Sequence, residues 1–193
     1  ATKVEIRFSD NEIIIADNGK GMSFDDLKNK WLFLGYSAKK DGTEDADNED
    51  KQKSYRDKIK RHYAGAKGIG RFSCDRLGKH LSLTTKSDNS QTVETIIVDW
   101  TDFEVDQKKE FAQIDVEHIS QEKVTPIFPL DSETGTILKI SDLNDEKLPW
   151  NRKRLLELKR SLEKLINPLS ETNDFVIEII CDNEIDEDKR VRD

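Results

Sequence analysis

Asp17-Asn18-Gly19-Lys20-Gly21-Met22 gathers an acid, two glycines and a soft apolar side chain into one short stretch. An acid closing a strand that reads as buried needs a partner, because an unpaired polar group away from water is costly. The exocyclic amine of a nucleobase would be such a partner, with the glycines letting a ligand come close to the backbone. Taken alone, Asn-Gly after a strand is equally an ordinary turn. A second glycine element, Gly65-Ala66-Lys67-Gly68-Ile69-Gly70, leads into Arg71, Phe72 and Ser73 at the entry to a helix. Free amides at such an entry, the helix dipole and the Lys67 ammonium together suit anionic oxygens. A helix-entry loop with no ligand explains the same string. It is not a dinucleotide fingerprint, since no buried strand precedes it, and it lacks the GxxxxGK spacing of a phosphate-binding Walker loop. The third element, Gly135-Thr136, alone says only that a strand begins.

The surrounding elements must bring these three together. Residues 2–8 alternate apolar and polar, Ser9-Asp10-Asn11 is turn chemistry, and Ile13-Ile14-Ile15 follow, which predicts a β-hairpin with a second strand covered on both faces. Ser23 with Asp26 three positions on marks a helix start, and Phe24, Leu27, Trp31 and Leu34 predict an apolar stripe on that helix facing a sheet. A further helix is predicted through about Leu77, with strands over 79–86, 92–100, near 111–118 and 135–141. Pro149 and Pro168 bracket a helix with Leu155, Leu158, Leu162 and Leu165 on one face. Phe175 to Cys181 reads as a last strand, followed by an acidic end expected to fray.

Between these elements lies a segment with a different composition. Residues 41–50 hold six acids and no base, and residues 51–62 hold six Lys or Arg and one acid. So little apolar surface cannot offset the entropy of ordering, so a mobile lid over about 36–66 is expected. Across 193 residues the charged fraction is 37% and the net charge is −8, which weighs against broad affinity for nucleic acid or membranes. Cys74 and Cys181 have no CxxC spacing, and His62, His80 and His118 show no zinc pattern. No apolar run reaches the roughly 20 residues of a membrane span, and no signal peptide is seen, so a cytoplasmic protein is expected.

In order, the three glycine elements resemble the GHKL superfamily, the group that includes DNA gyrase, the ninety-kilodalton heat-shock chaperone, histidine kinases and MutL. Its DxGxG adenine motif is matched by Asp17, Gly19 and Gly21, with Met22 extending the match. The resemblance implies an α/β two-layer sandwich of Bergerat type, with a mixed, mainly antiparallel sheet and helices on one face. It implies that Asp17 accepts a hydrogen bond from the adenine amine and that Met22 packs on the ring. The Thr136 hydroxyl would join Asp17 in a water-mediated contact. Lys67, Gly68, Ile69, Gly70, Arg71 and Phe72 fall in the phosphate motif at the end of the lid, and Ser37 and Lys39 near its start. ATP and Mg2+ are the implied cofactors.

The stretches Lys67 to Ser73 and Gly35-Tyr36-Ser37-Ala38-Lys39 look most like bacterial relatives of MORC and heat-shock-chaperone ATPases. In the superfamily a helix before the first strand carries a Glu that activates water and an Asn that holds magnesium. This chain starts at that strand, so no catalytic residue is assigned within it, and ATP hydrolysis is expected of the parent protein. The domain expectation is 1–147 for the ATP-binding domain and 148–193 for the start of a following transducer region. A nucleotide-dependent homodimer and a DNA or protein client are the implied partners. A histidine-kinase-type domain and a non-hydrolysing nucleotide sensor are the alternatives. The cluster Arg152, Lys153, Arg154, Lys159, Arg160 and Lys164 suits DNA contact, but a solvated helix face is the favoured reading.

Overall fold

Alternation over the first residues produces strand β1 (Lys3–Phe8), and a turn closed by the Ser9 amide on the Glu12 carbonyl returns the chain as β2 (Glu12–Asp17). The pair runs antiparallel with Ile6 opposite Ile15 and Phe8 opposite Ile13. The structure is a computed structural model, and it describes residues 1–32, 70–101, 116–122, 132–144, 150–164 and 175–192. The expected lid, Leu34 and Leu165 lie outside the described residues, as do Pro149 and Pro168.

Five further strands complete one sheet: β3 (Gly78–Lys86), β4 (Thr92–Asp99), β5 (Val116–Glu122), β6 (Gly135–Leu143) and β7 (Val176–Cys181). Their order is β5-β4-β3-β6-β2-β1-β7. Every neighbouring pair is antiparallel except β1 with β7, so the sheet is mixed and mainly antiparallel, as expected. Because side chains alternate across the pleat, register decides which residues share a face. One face carries the row Phe8, Ile13, Ile140, Leu81, Val98, and beside it the row Ile6, Ile15, Leu138, Leu83, Ile96. Leu81, Leu83, Ile96, Val98 and Ile140 have almost no exposed surface and form the centre of the core. Each such side chain contributes about 1.5–3 kcal/mol of burial free energy.

β2 departs from full coverage on both faces. Ile13 and Ala16 are buried, but Ile14 and Ile15 are half-buried. The strand expected near 111–118 is described at Val116–Glu122, with 111–115 outside the described residues. Its polar residues give little alternation to read, and its pairing with β4 depends on a carboxylate described below.

After Ser23 a single α-helical turn, α1 (Phe24–Asp26), passes into a π-helical stretch, Leu27–Trp31, closed by the Leu32 amide on the Leu27 carbonyl. The wider turn shifts the angular spacing of side chains. Leu27 is buried, but Phe24 is 45% exposed, so the expected three-and-four stripe is broken at its first member. Lys30 bonds Asp26 at 2.6 Å. Gly70–Arg76 forms a 3-10 helix, and the Leu77 amide closes it on the Cys74 carbonyl.

Helix α2 (Arg152–Glu163) begins later than Pro149, because Asn151 is its cap and accepts the Arg154 amide at 3.2 Å. Leu155 is buried, with Leu158 and Leu162 half-buried, and the helix lies against β7. The acidic end does not fray as expected. A 3-10 turn, Asp182–Glu184, leads into α3 (Ile185–Arg192), whose first turn carries Asp186, Glu187 and Asp188. Acids there suit the positive end of the helix dipole. Arg152 adds a bond to Asp188 at 2.9 Å and an ion pair with Glu184 at 3.6 Å.

The chain divides into two compact units, one of residues 1–23 with 74–193 and the other of residues 24–73. The sheet, α2 and α3 belong to the first.

Candidate functional site

Asp17 is the last residue of β2 and Thr136 the second of β6, and register sets them opposite each other. Thr136 is in turn opposite Thr85 on β3, and the β3–β4 register, with Thr84 opposite Thr95 and Thr85 opposite Glu94, extends the row. Asp17, Thr136, Thr85 and Glu94 therefore form a polar row beside the apolar rows of the core face. Sheet pairing places them there, although they are far apart in sequence.

The turn after Asp17 is fixed from three sides. The Gly19 amide donates to Asp17 Oδ1 at 2.7 Å, an Asx turn that sets the carboxylate's orientation. Asn18 Oδ1 accepts the Thr2 and Lys3 amides at 2.8 and 2.9 Å, which ties the turn to β1. The Gly19 carbonyl accepts the Thr134 hydroxyl at 2.7 Å, and the Met22 amide donates to Thr85 Oγ1 at 2.9 Å. Gly21 has φ +65°, and a Cβ there would meet the Lys86 carbonyl. Gly135 has φ +150°, and a Cβ would meet the Asp17 carbonyl. Both glycines are required by backbone packing itself, before any ligand is considered.

Thr85 has no exposed surface. Its hydroxyl donates to the Gly135 carbonyl at 2.9 Å and lies 3.1 Å from Thr136 Oγ1, in addition to accepting the Met22 amide. Thr85 belongs to no motif in the sequence. Its signal is the break in the alternation Leu81, Leu83, Thr85, where a third apolar residue would be the ordinary choice. Thr134 has no local signal either, since its bond to Gly19 spans 115 residues.

Glu94, next in the row, is 3% exposed. Its carboxylate accepts the Thr92 hydroxyl at 2.5 Å, His118 Nε2 at 2.7 Å and the Ser120 hydroxyl at 3.1 Å, which fastens β5 to β4. Burial pushes its pKa up. The bonds from Thr92, His118 and Ser120, with the charge of His118, outweigh burial and hold it below the ordinary value of 4.5. A depressed folded-state pKa gives stability that is present above the unfolded value and is lost as pH falls through the folded one. Glu94→Gln should therefore lower the stability measured by urea unfolding at pH 7 by about 1–3 kcal/mol. The difference from wild type should shrink below about pH 4.5, and a gap that stays constant down to pH 3 would contradict this account.

Of the residues the sequence singled out, Asp17, Gly19, Gly21, Met22 and Thr136 come together at one end of β2, β3 and β6. Gly70 opens the 3-10 helix, in which Arg71 and Phe72 follow along the backbone. Ser37, Lys39, Lys67, Gly68 and Ile69 lie outside the described residues. A carboxylate and a hydroxyl side by side, under a turn that carries Met22, fit the amine edge of a purine by donor and acceptor type.

A family model described as histidine kinase-, DNA gyrase B-, and HSP90-like ATPase matches residues 1–134, and the chain belongs to that family. No curated protein matches the chain. Domains of this GHKL type bind ATP, typically with Mg2+. Among the described residues no helix is long and apolar enough to cross a membrane.

Proposed function

We propose that the chain is the ATP-binding domain of a heat-shock-chaperone-like or MORC-like GHKL protein, in which nucleotide binding and hydrolysis drive lid closure and a change of conformation. The observation that carries this reading is the register-fixed pairing of Asp17 with Thr136 beneath the Gly19 to Met22 turn. In this reading Asp17 accepts from the adenine amine, Thr136 shares a bridging water with it, and Met22 lies against the ring. Lys67 and the amides of Gly68, Ile69 and Gly70 take the phosphates, with Ser37, Lys39, Arg71 and Phe72 around them. Mg2+ would accompany the nucleotide, as is typical of domains of this type. A nucleotide-dependent homodimer and a cytoplasmic location belong to the same proposal.

Calorimetric titration of the full-length protein with ATP, ADP and adenosine tests it. All three should bind, with ATP tightest. Gly68→Val should weaken ATP by a larger factor than adenosine, because a side chain there would crowd the phosphate amides. No heat with ATP at any concentration up to the millimolar range would sink the proposal, and equal losses for ATP and adenosine would remove the phosphate placement.

A further inference from the structure

We propose that Thr85 is a positioning residue that fixes the hydrogen-bond polarity of the base site and so sets its preference for adenine over guanine. The inference rests on the nucleotide reading above and goes beyond it, since Thr85 is given no direct contact with a ligand.

A hydroxyl has one proton and two lone pairs. Thr85 Oγ1 has three partners: the Met22 amide at 2.9 Å, the Gly135 carbonyl at 2.9 Å and Thr136 Oγ1 at 3.1 Å. The amide can only donate, so it takes one lone pair. The carbonyl can only accept, so it takes the proton. One lone pair is left for Thr136, and the proton between the two threonines must come from Thr136. Thr85 is fully enclosed, so no water competes for these positions.

The consequence is felt one strand away. With its proton committed to Thr85, Thr136 presents only lone pairs to anything placed against it. Its neighbour across the β2–β6 ladder is Asp17, whose carboxylate also presents only lone pairs. The wall made by the two side chains accepts and does not donate. Adenine offers an amine donor at its 6-position, whereas guanine offers a carbonyl oxygen there. With the 6-position of the base set against it, an acceptor-only wall pairs with the first and repels the second, directly or through a water that must spend its protons on the wall. Guanine's own donors, its N1–H and 2-amine, would meet the wall only in a shifted pose. A site built to hydrogen-bond one group rejects the analogue that lacks it more strongly than shape alone can.

The test compares the ATP-to-GTP affinity ratio of the full-length protein with those of Thr85→Val and Thr85→Ser, by calorimetric titration. Wild type should prefer ATP. Thr85→Val keeps the shape but frees the Thr136 proton to turn outward, and the ratio should fall about tenfold, the size of one hydrogen bond. Thr85→Ser restores the hydroxyl and should return the ratio close to that of wild type. A purely structural Thr85 would weaken both nucleotides together and leave the ratio unchanged in Thr85→Val, which would overturn the inference alone. Equal wild-type binding of ATP and GTP would do the same. Absence of ATP binding by wild type would remove the nucleotide reading and this inference with it. Should Thr85→Val fail to fold, Thr136→Val leaves the Thr85 bonds to Met22 and Gly135 in place and should lower the ratio in the same direction. An unchanged ratio there would also overturn the inference.

Discussion

Asp17→Asn weakens ATP binding by about 1.5–3 kcal/mol, roughly 10- to 150-fold in affinity, when the full-length protein is titrated calorimetrically. The substitution can keep the Asx turn. Gly19 donates its amide to Asp17 Oδ1 at 2.7 Å, and an asparagine carbonyl oxygen can accept the same bond. The turn therefore stays, and the change falls on the other terminal atom, where an acceptor oxygen becomes an amine donor. Facing the adenine amine, a donor then meets a donor. The unliganded thermal midpoint, measured beside the affinity, separates loss of binding from loss of fold. An affinity unchanged within error would remove Asp17 from the base site, and a large drop in the midpoint would mean that the carboxylate acts chiefly on stability.

The parts of the fold that could be read in advance are those whose signal is local. The β1–β2 hairpin was legible because alternation, turn residues and three isoleucines lie within 16 consecutive positions, and β3, β4 and β6 because β-branched and apolar residues alternate along them. The three glycine elements gave the superfamily, and residues 1–134 match its family model. Contacts that depend on distant pairing gave little warning. β5 is polar, and it is held by the buried Glu94 through His118 and Ser120, bonds that span 24 and 26 residues of sequence. Thr85 shows in the sequence only as a break in the alternation of Leu81 and Leu83, and register alone sets it against Thr136, 51 positions away. The acidic terminus read as solvated chain because α3 owes its first turn partly to Arg152, which reaches across 36 residues to Asp188.

The same contrast applies to the glycines. Their number and order pointed to a ligand site, yet the structure gives Gly21 and Gly135 a prior reason to be glycine, since in each case a neighbouring strand's carbonyl occupies the place of a side chain. Geometry and recognition are linked here. The close approach of Gly135 to the Asp17 carbonyl accompanies the pairing of β6 with β2, and that pairing brings Thr136 beside the carboxylate. A turn that could not come so near would leave the two side chains apart.

Gly21→Ala should therefore be among the most damaging single substitutions in the chain, lowering unfolding stability by about 3 kcal/mol or more. The left-handed backbone at φ +65° accounts for roughly 1–2 kcal/mol of this with any Cβ present. The remainder comes from the Lys86 carbonyl, a backbone atom at the end of β3 that can yield only by moving the strand or the turn. Moving the turn would pull the Met22 amide from Thr85 Oγ1 and leave a buried hydroxyl short of a partner, a further cost of about 1–3 kcal/mol. Against a typical total of 5–15 kcal/mol, losses of this size populate the unfolded state measurably. Gly19→Ala is the matched comparison. Its Cβ would lie 2.7 Å from Asp17 Oδ1, a side-chain atom that can rotate away, so stability should fall much less while ATP affinity falls with the displaced carboxylate. Urea unfolding of both variants, read beside ATP titration, checks the pair. Equal stability losses would mean that the fixed carbonyl and the movable carboxylate resist a methyl group alike, contrary to the packing described.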